Sequence, residues 1–127
     1  MKSELRARYR DERTVLERPR RQRWTAELNR HLLAASQLTD ARWVGAYLAF
    51  DGEPDVRFTL TQLARRGVGV ALPVLSAQPD MGLQFHRWTP ATALTVNRHG
   101  ISEPKATAAV DPAALDVLLI PLVAWDR

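Results

Sequence analysis

The apolar positions change period several times along the chain, and each change marks an element. "KSELRARYRDERTVLER" (2–18) is charged almost throughout, with Leu5, Tyr9 and Leu16 as a thin apolar stripe at helical spacing. Glu4 and Arg8 stand four apart, which suits an ion pair on one helix face. Pro19 breaks this pattern and biases Arg18 away from helical conformation. A second helix is predicted beyond it, with Trp24, Leu28, Leu32 and Ala35 on one face. "WVGAYLAF" (43–50) is apolar at every position, the pattern of a strand buried on both faces in a parallel sheet. "EPDVRFTLTQLARRG" reads as a helix with Pro54 in its first position and Asp55 at the positive end of its dipole. Val56, Leu60, Leu63 and Ala64 supply its buried face, and Gly67 stops it. "VGVALPVL" (68–75) is a second buried strand. Residues 43–75 are therefore expected to form a right-handed β-α-β unit.

The second half is less regular. "SAQPDMG" (76–82) is a turn-rich loop, and "LQFHRW" (83–88) alternates enough for a half-exposed strand. Residues 89–114 are punctuated by Pro and Gly and read as mostly irregular, which for so long a connection suggests a functional loop. "LDVLLIPLV" (115–123) is predicted as a third buried strand. An apolar strand of this kind needs a neighbour or a covering helix, so the sequence is expected to continue in the intact protein. The expected class is α/β, with a mostly parallel central sheet in a single domain.

Charge changes the picture at one end only. Residues 1–23 carry nine Lys/Arg against four Asp/Glu, a net of +5, and the remaining residues carry nine against ten. The basic segment favours anionic partners such as nucleotide phosphates, nucleic acid or polyanionic cofactor tails. A solvated helix face laced with ion pairs explains it as well. The first residues lack the apolar core of a secretory signal, and no apolar run is long enough to span a membrane. Cysteine is absent, which excludes disulfides and thiolate chemistry and makes a cytoplasmic location the expectation.

The chemistry-bearing residues gather in two places. His31, His86 and His99 have no zinc-type spacing, and no nucleophile elbow, Walker A motif or dinucleotide fingerprint is present. The Gly-x-Gly of "RRGVGVALP" precedes a strand instead of opening a helix, so it reads as a turn. Asp51, Gly52 and Glu53 follow the carboxyl end of a predicted parallel strand, where ligands collect in open α/β sheets. By position alone, Glu53 either holds a ligand or decorates a helix start. "NRHGISEP" (97–104) combines an amide, an imidazole and a carboxylate, with Phe85 and Trp88 upstream. Those aromatics suit a flat heterocycle or a core.

Taken in order, "KSELR", "YLAFDGEPDV", "ALPVL" with "MGLQFHRW", "NRHGISEP" and "DPAALDVLLIPLVAWD" resemble the 5-formyltetrahydrofolate cyclo-ligase family, also called methenyltetrahydrofolate synthetases. The resemblance covers the whole of this chain and the front part of the family's chain. It implies a Rossmann-like three-layer fold and ATP-dependent conversion of 5-formyltetrahydrofolate to 5,10-methenyltetrahydrofolate. In that reaction the formyl oxygen takes the γ-phosphoryl group, N10 of the folate attacks the activated carbon, and phosphate leaves. The nucleophile belongs to the substrate, so no catalytic side chain is assigned, and the protein's part is to position two ligands. The family's ATP-contacting run matches Lys2, Ser3, Glu4, Leu5 and Arg6, with Lys2 and Arg6 one helical turn apart. Its folate-contacting positions match Leu48 and Glu53, where a carboxylate would accept the pterin's paired donors. Phe85, Trp88 and Glu103 are expected to line the pocket, and His99 stands where the family often has an aromatic residue before the Gly.

The resemblance also implies Mg2+, but the family's Gly-rich phosphate and metal segment follows the position of Asp126 and is not among residues 1–127. The metal ligands are thus expected beyond Arg127, and these residues alone, read as a C-terminally truncated member, are expected to give negligible turnover. The partners implied are the folate and ATP, with no specific nucleic acid, no membrane and a monomeric chain. The alternative is a non-catalytic module that binds folate, nucleotide or, through its Arg-rich first helix, polyanions.

Overall fold

Pro19 separates the first two helices, and the way it does so shows how its ring is tolerated. The computed structural model describes residues 2–15, 18–76 and 83–122. Helix α1 (Lys2–Thr14) stops before the proline, and α2 (Arg18–Ala34) has Pro19 in its first turn, where no N–H is needed. On α1 the observed ion pair is Arg8 with Glu12, at 3.1 Å, one turn beyond the expected Glu4 pairing. A single turn, α3 (Ser36–Thr39), leads into β1 (Trp43–Gly45). Helix α4 (Arg57–Arg65), β2 (Gly69–Leu75) and β3 (Leu83–Trp88) follow. Then come β4 (Leu94–Val96), β5 (Ser102–Pro104), β6 (Ala109–Val110), a 3-10 turn at Pro112–Ala114, and β7 (Val117–Leu118).

The main sheet has the order β6-β3-β2-β1-β7. β1 pairs in parallel with β2 on one side and β7 on the other. β3 runs antiparallel to both β2 and β6, so β3 alone opposes the direction of the other four strands. This is the mostly parallel α/β sheet that the apolar runs imply, with β1, α4 and β2 as the β-α-β unit. The core gathers Leu38 below the sheet's start with Val44, Val56, Leu60, Leu63, Val70, Leu72 and Trp88. Each such side chain contributes about 1.5–3 kcal/mol on burial. Gly45 lies at the crowded centre. A Cβ there would come within 2.8 Å of both Leu115 and Leu118, and 3.4 Å from the Phe85 ring.

Four expectations need correction. The ladder of β1 ends at Gly45, not at residue 50, although the Ala46 N–H still donates to the Ala71 carbonyl at 3.0 Å. Beyond it Tyr47 and Leu48 pack against the core, so apolarity there serves packing and not strand pairing. Helix α4 begins at Arg57, and Pro54 stands outside it. The Pro54 and Asp55 carbonyls are taken by Tyr47 and Asn29, and Asp55 instead accepts the Arg57 N–H at 2.9 Å. Residues 89–114 contain an antiparallel hairpin, β4 with β5, and the sheet strand β6. The third apolar run is not a buried strand. Among its described residues only Val117–Leu118 is strand, at the sheet edge, with Asp116 and Leu119 each donating one more backbone bond to β1, and residues 115–120 alternate between half-buried and exposed. One neighbour and one covered face explain the alternation. The turn-rich loop expected at 76–82 lies, from residue 77 on, outside the described residues.

Candidate ligand site

The acidic turn forms because its sequence is Asp-Gly. Asp51 and Gly52 both have positive φ, 54° and 74°, as the two central residues of a type I′ turn require. The Glu53 N–H donates to the Phe50 carbonyl at 3.1 Å, and the Phe50 N–H donates to Glu53 Oε1 at 3.0 Å. Two reciprocal bonds thus close residues 50–53. Glu53 is half-buried and lines a cavity of about 380 Å3 with Gly52 and Pro54. The opposite wall comes from Tyr9, Glu12 and Arg13 of α1 and Trp24, Thr25 and Leu28 of α2, and Leu122 lines it too. Glu53 follows β1 and Leu122 follows β7, two parallel neighbours, so the cavity opens at their carboxyl ends.

Helix α1 is fastened to this turn by its arginines. Arg13 Nη2 donates to the Asp51 carbonyl at 2.6 Å, and Arg10 Nε lies 3.5 Å from Asp51 Oδ2. Arg21 of α2 donates to the Arg13 carbonyl, and Arg20 lies 5.0 Å from the centroid of the Trp24 ring. The basic segment therefore spends several of its charges within the fold. Behind the turn, the Tyr47 hydroxyl donates to the Pro54 carbonyl at 2.8 Å. Burial pushes the Tyr47 phenol up to about 12, the Glu53 and Asp55 carboxylates add to the rise, and the Arg13 charge opposes it.

The second chemistry-bearing loop arrives beside the first. A Cβ built on Gly100 would lie 3.7 Å from Cε2 of Phe50, so "NRHG" sits against the acidic turn. Asn97 builds that loop: its Oδ1 accepts the His99 N–H at 2.9 Å and the Ile101 N–H at 3.2 Å.

The residues expected around a ligand separate into distinct surroundings. Glu53 lines the cavity. His99 is exposed at the neighbouring loop, where Arg98 Nε donates to its Nε2 at 3.4 Å. Glu103 is buried at 8% exposure, and its Oε2 accepts the Leu75 N–H and the Asn97 amide, both at 3.1 Å. It joins the hairpin to the end of β2. Trp88, expected in the pocket, is instead a core residue at 2% exposure, because its place opposite Val70 turns the indole inward. Phe85 covers Gly45, and Leu48 packs against the core. Lys2, Ser3, Glu4, Leu5 and Arg6 are exposed on the first turns of α1. Sequence reasoning missed Glu12, Arg13 and Trp24 as cavity-lining residues and Tyr47 as the partner of the Pro54 carbonyl. Trp24 had carried a signal, as the outermost member of the α2 apolar face, and it is 51% exposed.

Fold and cavity together define an α/β protein with an acid and aromatic side chains around a cavity at the carboxyl ends of its parallel strands. The model of the 5-formyltetrahydrofolate cyclo-ligase family matches residues 1–127, and the chain belongs to that family. The 5-formyltetrahydrofolate cyclo-ligase of Escherichia coli strain K12 is 40% identical over 89 residues, covering 68% of this chain and 49% of the relative. That of Haemophilus influenzae is 32% identical over 102 residues, covering 79% and 54%. The solved 5,10-methenyltetrahydrofolate synthetase of Aquifex aeolicus superposes with a TM-score of 0.84 at 26% identity, over 98% of this chain and 62% of that one. The Mycoplasma pneumoniae synthetase shares the fold, with a TM-score of 0.71 at 19% identity over 95% and 63% of the two chains. The chain spans about half the length of the curated relatives it matches.

Proposed function

We propose that this chain forms the folate-binding part of an ATP-dependent 5-formyltetrahydrofolate cyclo-ligase, taking 5-formyltetrahydrofolate in the cavity between α1, α2 and the acidic turn. The observation that carries this reading is Glu53, a half-buried carboxylate on a doubly closed turn that lines a cavity of about 380 Å3 beside Trp24 and Tyr9. One carboxylate can accept both the amino and the ring N–H donors of a pterin, and aromatic walls suit its flat rings. ATP belongs at the front of α1, where Lys2 and Arg6 are exposed on successive turns at the positive end of the helix. Among the described residues no group of three or more His, Cys, Asp and Glu side chains could hold a metal ion. Among the same residues no helix is long and apolar enough to cross a membrane. Because the folate supplies its own nucleophile, the chain's share of the work is orientation and exclusion of water.

Calorimetric titration with 5-formyltetrahydrofolate tests the reading. Glu53→Gln keeps the size of the side chain and loses the charge. A charge-assisted hydrogen bond contributes about 1.5–3 kcal/mol, so binding should weaken roughly 10- to 100-fold. A folded wild-type chain that does not bind the folate, or a variant that binds as tightly as wild type, overturns it.

A further inference from the structure

The turn that carries Glu53 is gripped from outside at both ends. On one side Arg13 Nη2 donates to the Asp51 carbonyl at 2.6 Å. On the other, the Tyr47 hydroxyl donates to the Pro54 carbonyl at 2.8 Å. Both bonds go to backbone carbonyls, so neither consumes the Glu53 carboxylate. Arg13 is itself steadied, since its own carbonyl accepts from Arg21 on α2. Tyr47 is half-buried and packs against the core, so its hydroxyl is presented from a fixed base. With its phenol raised to about 12, it remains a donor throughout the physiological range.

A two-residue turn with both central residues at positive φ is a narrow conformational choice, and a carboxylate beside it points wherever the turn points. We infer that Tyr47 and Arg13 are positioning residues for Glu53, two clamps that fix the turn so that its carboxylate meets the ligand already ordered. This rests on the reading that Glu53 accepts hydrogen bonds from a folate. Without the clamps, the locally closed turn is held less firmly in place before binding, and fixing it then is charged against affinity.

The test uses the full 127-residue chain. Tyr47→Phe removes one hydroxyl and keeps the ring. Arg13→Met removes the second clamp, and Arg13→Lys restores a cation that can still reach a carbonyl. In the ligand-free chain, amide hydrogen exchange at Phe50 and Glu53 should quicken in Tyr47→Phe and Arg13→Met, and slow again in Arg13→Lys. Calorimetry, run where urea titration shows each variant fully folded, should give about fivefold or greater loss of 5-formyltetrahydrofolate affinity for Tyr47→Phe, the cost of ordering one residue. Tyr47→Phe combined with Glu53→Gln should bind no more weakly than Glu53→Gln alone, because a clamp acts only through the acid it holds. A merely structural hydroxyl would give additive losses, which overturns the inference, as does unchanged exchange at both amides. If the wild-type chain binds no folate, the functional reading fails separately. The exchange rates then decide whether the clamps hold the turn.

Discussion

Asn29 shows how much a single polar residue can organise. It is 3% exposed, and its amide makes four bonds. Nδ2 donates to the Thr25 carbonyl at 2.8 Å and the Asp55 carbonyl at 2.9 Å. Oδ1 accepts the Thr59 N–H at 3.1 Å and the Thr59 hydroxyl at 2.6 Å, which completes the capacity of the group. Helix α4 has Val56 at its N-cap and no capping side chain there, so Asn29 serves an orphan N–H of its first turn from across the interface with α2. Asn29→Ala leaves the Thr59 N–H and the Asp55 carbonyl without their partner in a buried place. It should lower unfolding stability by about 2–3 kcal/mol, against about 1 kcal/mol for Asp55→Ala at the exposed turn, both read from urea midpoints. Nothing in the sequence marks this residue. A lone Asn beside Leu28 reads as the solvent side of α2, and its partners outside that helix lie 26 and 30 positions away. The turn before Glu53 was legible for the opposite reason: it is local, and Asp-Gly after an apolar run states its own geometry.

At the scale of elements, periodic segments were legible and merely apolar ones less evenly so. α2, α4 and β3 stand close to where their spacing puts them, because a helical stripe or an alternation names both the element and its face, and of the apolar runs only 68–75 pairs over nearly its whole length. The runs at 43–50 and 115–123 promise burial but do not say what pairs with what, and each ladder is shorter than its run. β4, β5 and β6 escape notice because they are only two or three residues long. The junction of β1 and β7 also depends on a residue with no apolar signal. Asp116 accepts the Trp43 N–H at 3.1 Å and the Arg42 N–H at 2.8 Å, and its own N–H donates to the Trp43 carbonyl at 2.9 Å. The Trp43 and Arg42 N–H groups, and then the Arg42 charge, hold its carboxyl below the ordinary value of 3.8. A depressed carboxyl stabilises the fold above its unfolded pKa, and that contribution fades as pH falls through the folded one. Asp116→Asn should therefore be less stable than wild type at neutral pH. The gap should close as pH falls from about 4 toward the depressed pKa, followed by circular dichroism in urea at stepped pH. A gap that persists in full acid would show that the carboxylate charge is not what binds the strands.

At the scale of the whole molecule, the sheet's β7 edge exposes a row of apolar side chains. Among the described residues β7 pairs with β1 alone. Leu118, Ile120 and Leu122 are 47%, 64% and 60% exposed, and at alternate positions of an extended segment they share one side. Such a row along a sheet edge is a template for another strand or another copy. The 127-residue chain on its own should therefore self-associate at micromolar concentration, and light scattering should show the effect strengthen as concentration rises. Ile120→Lys puts a charge in the middle of the row at a position already open to water. It should suppress association while moving the urea midpoint by no more than about 0.5 kcal/mol, as for other surface changes. Ile120 is not one of the residues lining the cavity, whereas Leu122 is. Folate affinity should accordingly stay within about twofold in Ile120→Lys and fall in Leu122→Lys, since a charge there would enter the apolar wall of the site. If both lysines suppress association but neither affects binding, the cavity's rim at residue 122 plays no part in holding the ligand. The site would then rest on α1, α2 and the acidic turn.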